Sequence, residues 1–404
     1  MEKPVSTSLK YLFFTFLKIG ATSWGGFMAL ISVVQKQIVD KDKKLDNEIL
    51  LEGISLASVL PGPMAFNVVT FVGYKLKGIR GALVSMAGIV LPSFLLMLAL
   101  SFLYLKYGNI PSFTRFFAGV LPAVAAIIIS VAFALAKKNI TDVPQILIAV
   151  TSAIVIALSK AYITTLTVMF LSGLIGYLIY HKKLIEEFSP DSVDKSNIRI
   201  PKIGFLIPLI MATCFLIVII LPVLLPSQLA DLAILQRKIL LSFSSMSLSL
   251  FGGGYVIIPA MQQIIVDSLK WLTAKEFTDA IAMGQITPGP IFISATFIGF
   301  KLAGFWGALN ATVAIFLPPG LLMITCSHFF DRIRNSVAIT AIFKGLRPAI
   351  IGMIAAAAYK IMVSNGFTVQ SVLLICIFLI LAIRYKMDPA ILIPGAGIIG
   401  LLIF

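Results

Sequence analysis

The chain is dominated by long apolar runs that are separated by short polar and basic connections. Several runs carry no charged residue over about 18 positions or more, which is the length that an α-helix needs to cross the hydrocarbon core of a bilayer. The clearest of them are 82–105, 116–136, 203–225 and 306–326. This pattern predicts an all-α polytopic membrane protein.

Two predicted helices near the start of the chain are interrupted. One spans about 8–39 and is broken at Gly25-Gly26, and the next spans about 46–77 and is broken at Pro61-Gly62-Pro63. Glycine tolerates unwound backbone, and proline cannot continue a helix through its own position. Four uninterrupted helices are predicted to follow, near 80–106, 112–137, 143–160 and 162–181.

The second part of the chain repeats the first. Trp24-Gly25-Gly26 recurs as Phe251-Gly252-Gly253, and Pro61-Gly62-Pro63 recurs as Pro288-Gly289-Pro290, in both cases 227 positions later. Self-similarity at a fixed offset indicates a duplicated structural unit. The matches that follow a single deletion, at an offset of 226, include Gly73 with Gly299, Lys75 with Lys301, Gly78 with Gly304, Pro92 with Pro318 and Pro122 with Pro348.

The duplication divides the chain into four segments. An N-terminal repeat occupies 1–181, a polar linker 182–202, an unmatched apolar span 203–226 and a C-terminal repeat 235–404. We expect the linker to be solvated and cytoplasmic. A single extra span between two repeats would invert the second relative to the first, as in many secondary transporters.

The expected fold is therefore two homologous repeats with broken or re-entrant helices, in an inverted arrangement. If both broken segments re-enter, each repeat crosses the membrane four times, and the basic loops of the first repeat face the cytoplasm. In the second repeat this count would leave several basic residues outside, namely Arg237, Lys238, Lys270 and Lys275. Either its broken helices cross fully, or the positive-inside rule is weak there.

Composition excludes the main soluble classes. Only 12% of the residues are charged and 59% are hydrophobic, too little charge to cover a soluble surface. The net charge of +15 comes from basic residues between apolar spans, which is the positive-inside pattern rather than a nucleic-acid surface. A basic lumen that attracts anions is a second, compatible interpretation. Three cysteines and two histidines lack metal or redox spacing, so no metal or cofactor is predicted. The expected partners are the lipid bilayer and a small anion, with no nucleic acid, and a homodimer is left open.

The two Pro-Gly-Pro tripeptides are the strongest candidates for a substrate site. Proline is favoured at the first position of a helix, so Pro63 and Pro290 are each expected to open one. The helix that follows is about 14 residues long, roughly 21 Å, so its N-terminus would lie inside the membrane. Unpaired N–H groups there, on 64–66 and 291–293, must face protein, a cavity or a ligand. Two such positive ends would bind an anion, whereas the plainer alternative is a structural kink.

Further candidate residues surround these breaks. Gly25-Gly26 and their counterparts Gly252-Gly253-Gly254 permit close backbone approach or unwinding, although tight helix packing is the plainer role. Arg347 lies in an apolar run, where it could attract an anion or snorkel to the interface. The predicted substrate-binding residues are Ser23, Gly25, Gly26, Pro61, Gly62, Pro63, Asn67, Gly252, Gly253, Gly254, Gln285, Thr287, Pro288, Gly289, Pro290 and Arg347.

Two acids are repeated beside the Pro-Gly-Pro breaks. Glu52 and Asp279 lie 227 positions apart, each nine residues before its tripeptide. Ionisable groups in membrane segments are costly and are commonly retained for function. We expect these two carboxyls to carry coupling protons, so that replacing both with amides abolishes the pH dependence of transport. The competing interpretation places them near the surface, and surface anchoring is also the expected role of Lys75 and Lys301.

At these motifs the chain resembles the chromate ion transporter family. One half of that family looks like Ser-Phe-Gly-Gly, an acidic residue and Leu-Pro-Gly-Pro, and the other like Phe-Gly-Gly-Gly, Gln and Pro-Gly-Pro. The matching residues here are Ser23-Trp24-Gly25-Gly26, Glu52 and Leu60-Pro61-Gly62-Pro63, then Phe251-Gly252-Gly253-Gly254, Gln285 and Pro288-Gly289-Pro290. Trp24, Phe27 and Ser58 depart from the usual phenylalanine, proline and glutamine; they flank the expected site and leave the fold expectation intact.

The resemblance implies efflux of chromate, coupled to an ion gradient, across a prokaryotic plasma membrane. Chromate and sulfate are both tetrahedral dianions, and backbone N–H groups would bind either, so a permease for sulfate, another oxyanion or an organic acid stays open. A channel would need a continuous polar pore, whereas broken-helix repeats favour alternating access. A membrane-embedded enzyme would need a nucleophile with a base, or metal ligands, and the residue types provide neither.

Overall fold

The computed structural model describes residues 7–23, 26–107, 111–159, 162–187, 227–249, 257–327, 337–364, 368–385, 387 and 389–403, and every regular element within them is a helix. Several predicted features lie outside the described residues, namely Gly25, Gly252, Gly253, Gly254 and the extra span 203–226.

The two repeats contain the same series of helices. The first has α1 (Leu9–Thr22), α2 (Gly26–Val34) continued by a π-helical segment (Gln35–Lys41), α3 (Asn47–Val59), α4 (Met64–Tyr107), α5 (Pro111–Asn139), α6 (Val143–Leu158) and α7 (Tyr162–Glu187). The second has α8 (Ser227–Ser249), α9 (Ile257–Met261) with its π-helical segment (Gln262–Ser268), α10 (Ala274–Ile286), a 3₁₀ turn (Ile291–Ile293), α11 (Ser294–Cys326), α12 (Val337–Ser364), α13 (Val369–Ile383) and α14 (Pro389–Ile403). Helix α7 runs to Glu187, so the segment predicted as the linker begins as helix.

Length and exposure mark this as a multi-pass membrane protein. Four helices in the described part are long and apolar enough to cross a bilayer, namely Met64–Tyr107, Arg115–Lys137, Ser294–Cys326 and Thr340–Lys360. Large apolar side chains lie on outer faces of the bundle, with Leu158 81%, Phe170 72% and Trp306 69% exposed. Such a surface is suited to lipid rather than to water.

Both predicted breaks of the first repeat are present. Helix α1 ends at Thr22 and α2 begins at Gly26, while α3 ends at Val59 and α4 begins at Met64, after the Pro-Gly-Pro. The same tripeptide separates α10 from the 3₁₀ turn in the second repeat. Helices α4 and α11 are broken again at Lys77-Gly78 and Ala303-Gly304, where each glycine has a φ of about +60°.

Each Pro-Gly-Pro is the tip of a helical hairpin. In hairpin 1 (47–76) the side chains of Glu52 and Lys75 form an ion pair, and Gly53 faces the ring of Phe71, so its two short arms run antiparallel. Hairpin 2 (274–302) is closed at its mouth by an ion pair between Glu276 and Lys301. The arms α3 and α10 each have 13 residues, roughly 20 Å at 1.5 Å per residue, which is shorter than the bilayer core.

Beyond the break at Gly78 or Gly304, each repeat continues as a long helical arm, 79–107 in α4 and 305–326 in α11. Gly73 and Gly81 touch across the break in α4, so the chain reverses there and the long arm starts beside the mouth of hairpin 1. Tyr104, near its other end, contacts Asp279 close to the mouth of hairpin 2. Hairpins 1 and 2 therefore lie along the long arm of α4 from opposite ends.

Several helices of each repeat pack on helices of the other repeat, so the two repeats are interleaved rather than side by side. Helix α5 packs on α13 and α14, and its counterpart α12 packs on α6 and α7. Helices α4 and α11 pack on each other, and α1 and α8 cover them in equivalent ways. These contacts of one repeat are matched by their counterparts in the other, so these helices have an approximate two-fold relationship.

Candidate functional site

The tips of the hairpins are tight turns that only glycine accommodates well. Gly62 has a φ of 102° and Gly289 a φ of 98°, in the region that side-chain-bearing residues avoid. The prolines were predicted to occupy the first helical position, and this is wrong by one residue for Pro63, whose carbonyl accepts the N–H of Asn67 at 2.9 Å and so caps the helix. Pro290 opens only the 3₁₀ turn.

Each tip lies against the long arm of the other repeat. A side chain on Gly62 would overlap with Pro319 in α11, and one on Gly289 would overlap with Ser93 in α4. Ser93 and Pro319 are equivalent positions, 226 residues apart. The tip of hairpin 2 (288–290), called tip 2, also contacts the break after α1, because the Gly289 N–H donates to the Ser23 carbonyl at 3.0 Å. The structure thus brings the Ser23 break and a Pro-Gly-Pro of the opposite repeat together.

Several polar groups at the tips are buried without a partner. The hydroxyl of Ser23 is 3% exposed and has no hydrogen-bond partner in the described residues. Asn67, fully buried, donates to the Pro61 carbonyl at 3.0 Å, but its Oδ1 accepts no hydrogen bond there. The N–H groups of 64–66 and of 291–292 donate to no backbone acceptor in the described part of the chain. The N–H of Ile293 differs from the expectation, because it donates to Pro290.

One aromatic ring of α11 contacts a ring at each of the two tips. The ring of Phe316, in the long arm of α11, lies 5.0 Å from that of Phe66 and 6.3 Å from that of Phe292, centroid to centroid. Phe66 and Phe292 are equivalent residues just after the two Pro-Gly-Pro turns. All three side chains are at most 4% exposed.

The remaining predicted polar ligands lie at the end of α10. Thr287 is buried and donates to the Gly284 carbonyl at 2.9 Å, and Gln285 is 7% exposed one turn before the tip. Gly26 is the first residue of α2. Arg347 differs from these buried residues. Its side chain is exposed and its guanidinium stacks over the ring of Phe343, which fits the snorkelling alternative.

A groove of about 640 Å³ runs along α1. Most of its surface is apolar, with Phe14, Ile19 and Val33 in its wall, and polar side chains line it from Tyr11 through Lys18 to Thr22 on α1 and at Gln37 on the π-helical segment. Thr22 immediately precedes Ser23, the residue whose carbonyl accepts the Gly289 N–H.

The two repeated acids occupy different environments. Glu52 is about one-third exposed and lies 3.6 Å from the Lys75 ammonium, within its own hairpin. Asp279 is 1% exposed and accepts a hydrogen bond from the Tyr104 hydroxyl at 2.6 Å, while its other oxygen, Oδ1, has no partner in the described residues. The surface interpretation therefore fits Glu52, and the buried interpretation fits Asp279.

Ser93 and Tyr104 take part in this region and were not predicted. Ser93 donates to the Pro288 carbonyl, and Tyr104 donates to Asp279. Repetition carried no signal for either residue, because their counterparts are Pro319 and Phe330. Only the contact between repeats reveals them.

Comparison with known proteins gives a consistent family assignment. The model of the chromate transporter family matches residues 10–177 and 237–401. A probable chromate transport protein of Synechococcus elongatus is 33% identical over 87% of this chain and 84% of its own length. A chromate transport protein of Cupriavidus metallidurans is 29% identical over 98% and 94%, and one of Pseudomonas aeruginosa is 27% identical over 99% and 94%. No solved structure matches the chain significantly.

Proposed function

The chain belongs to the chromate transporter family, and from this premise we propose that it is a secondary transporter of a small oxyanion, with chromate efflux as its activity. Sulfate, another oxyanion or an organic acid remains the alternative substrate, because the groups at the tips recognise charge and shape rather than the central atom. The relatives from Synechococcus elongatus and Cupriavidus metallidurans are prokaryotic proteins, which supports a location in a prokaryotic plasma membrane.

An inverted arrangement of re-entrant hairpins fits the contacts. The long arm of α4 has 29 residues, roughly 43 Å at 1.5 Å per residue, so it can cross the bilayer completely. The mouth of hairpin 1 lies at its start, Tyr104 near its end contacts hairpin 2, and Ser93 at its middle contacts tip 2. Hairpins that enter from opposite membrane faces and meet at the midplane would have this pattern.

The observation that carries the proposal is the meeting of each Pro-Gly-Pro tip with the mid-section of the opposite repeat, beside buried donors that have no partner within the described residues. The N–H groups of 64–66, which donate to no backbone acceptor there, and the hydroxyl of Ser23 can donate to an oxyanion. A hydroxyl or N–H that is buried without a partner costs about 1–3 kcal/mol, and a bound anion would recover that cost. The helix N-termini add positive potential at the same place.

The groove along α1 is the approach that we assign to the anion. It is lined by two lysines, Lys10 and Lys18, and by Thr22, the residue before Ser23. A cation there raises the local concentration of an anion without binding it tightly. Arg347, being exposed and stacked on Phe343, would act only at the periphery.

Replacing Ser23 with alanine tests the site directly. We expect the ligand-free protein to be as stable as the wild type or more stable, since an unpartnered buried hydroxyl is removed, while affinity for chromate or sulfate falls roughly five- to tenfold. The measurement is the rise in Tm of the purified protein on titration with chromate, sulfate and, as a monovalent comparison, nitrate.

Ser101→Ala is the matched control, because Ser101 is equally buried but its hydroxyl already donates to the Met97 carbonyl within α4. Its anion-induced stabilisation should equal that of the wild type. Equal behaviour of the two alanine variants would remove Ser23 from the binding site.

A further inference from the structure

The two hairpins satisfy their polar groups in different ways. In hairpin 1 the Pro61 carbonyl accepts the amide of Asn67, and Glu52 pairs with Lys75, so both interactions stay within the hairpin. In hairpin 2 the corresponding partners come from the opposite repeat: Ser93 donates to the Pro288 carbonyl and Tyr104 donates to Asp279.

The sequence explains this difference at each position. Ile293 stands where the first repeat has Asn67, so tip 2 has no amide of its own, and Ser93 stands where the second repeat has Pro319, which cannot donate. At the mouth, Lys301 pairs with Glu276, whose counterpart is Ile49, and this leaves Asp279 to Tyr104.

Two points of the long arm of α4 therefore hold α10. The residues Ser93 and Tyr104 are 11 positions apart, roughly 16 Å along the helix, and their partners Pro288 and Asp279 are nine positions apart, roughly 13 Å. One point is at the tip, next to the candidate anion site, and the other is near the mouth of hairpin 2. We call this pair of hydrogen bonds the α4–α10 clamp.

The mouth end of the clamp contains a group that can change its charge. Few ionisable groups act on Asp279 in the described residues: Tyr104 from α4, and Lys275 and Glu276 from its own helix, with Glu276 paired to Lys301 of α11. Helix α14, which also packs on α10, has no ionisable residue between Pro389 and Ile403. The bond from Tyr104 is charge-assisted while Asp279 is a carboxylate, and protonation of Asp279 removes that assistance.

We infer that Asp279 is the coupling acid of this transporter and that Tyr104 is its positioning residue. Protonation of Asp279 loosens α10 from the long arm of α4. Hairpin 2, and not hairpin 1, then opens from its mouth toward its Pro-Gly-Pro tip. Glu52 takes no part in coupling. This inference rests on the proposed function, because it assigns the proton-linked step of that transport to one of two duplicated hairpins.

Hydrogen–deuterium exchange of the full chain in lipid nanodiscs, without any oxyanion, tests the clamp. At about pH 5 the amides of 274–286 should lose roughly five- to tenfold protection relative to about pH 8, after correction for intrinsic exchange, whereas those of 47–59 should not change. Asp279→Asn should give the low protection at both pH values. Tyr104→Phe keeps the ring contacts with Phe117 and Phe297 and should also lose protection at about pH 8.

Two matched variants complete the experiment. Tyr107 lies at the same end of α4 as Tyr104 but has a partly exposed side chain, so Tyr107→Phe is the control for Tyr104→Phe. Glu52→Gln removes the other repeated acid. Both variants should behave as the wild type. In proteoliposomes the pH dependence of oxyanion flux should likewise vanish in Asp279→Asn and persist in Glu52→Gln.

Protection of α10 that is independent of pH in the wild type, or restored pH dependence in Asp279→Asn, would overturn the clamp. So would equal responses of α10 and α3. If the exchange results are as expected but vesicles carry no oxyanion, the clamp stands and the proposed substrate class is wrong.

Discussion

Gly62→Ala and Gly289→Ala are each expected to lower chromate flux by roughly 100-fold, or about 2.7 kcal/mol in the barrier. Both glycines have a positive φ, which costs other residues of order 1–3 kcal/mol. In addition, the new methyl group would overlap with Pro319 or Ser93, at the contact where each tip meets the opposite repeat. The measurement is initial flux at matched amounts of protein in the membrane.

Gly78→Ala and Gly304→Ala separate backbone strain from loss of the tip contact. These glycines also have a positive φ, of 61° and 60°, but a methyl group on them would meet nothing within 4 Å. They should retain most of the flux, as should neutralising Lys75 or Lys301, whose ion pairs lie at the hairpin mouths, where the side chains are about a quarter to a third exposed, and contribute little. Normal flux in the tip variants, with loss in the lysine variants, would locate the site elsewhere.

Phe316→Ala should convert coupled transport into a leak. The ring of Phe316 contacts Phe66 and Phe292, one from each hairpin, so truncating it would leave a cavity between these two rings. Truncating a buried phenylalanine commonly costs about 3–5 kcal/mol of stability. We expect passive efflux of oxyanion from preloaded vesicles to rise roughly tenfold or more, which corresponds to about 1.4 kcal/mol off the barrier.

Phe94→Ala is the comparison for this variant. Phe94 is also buried and packs edge-on against another ring, Phe305, but it has no ring contact with either hairpin tip in the described residues. It should lower stability without raising passive efflux. An equal leak in both variants would mean that Phe316 is an ordinary core residue.

The helix breaks could be predicted from the sequence because their cause is local. Proline lacks the N–H that a helix needs, and the φ values of Gly62 and Gly289 are those that glycine permits. The duplication then doubled the strength of each signal. The one-residue error at Pro63 has the same local character, since both the cap and the first helical position accept proline's fixed φ.

The partners at the tips could not be predicted, because they depend on how the repeats pack through each other. Glu52 and Asp279 are equivalent in sequence, yet Lys75 reaches the first, whereas Glu276 holds Lys301 away from the second. Ile49 occupies the position of Glu276 in the first repeat, and that single difference redirects the lysine. A repeat indicates a common backbone, and the partners of a side chain follow from the neighbours that it meets.

The most direct measurement of the central claim is counterflow of radiolabelled chromate into proteoliposomes that contain the purified chain and are preloaded with unlabelled chromate. We predict saturable, transient accumulation of label that sulfate inhibits and that disappears in the Gly62→Ala, Gly289→Ala double variant. Uptake equal to that of protein-free liposomes, or uptake that the double variant leaves unchanged, would contradict an oxyanion site formed by the two Pro-Gly-Pro tips.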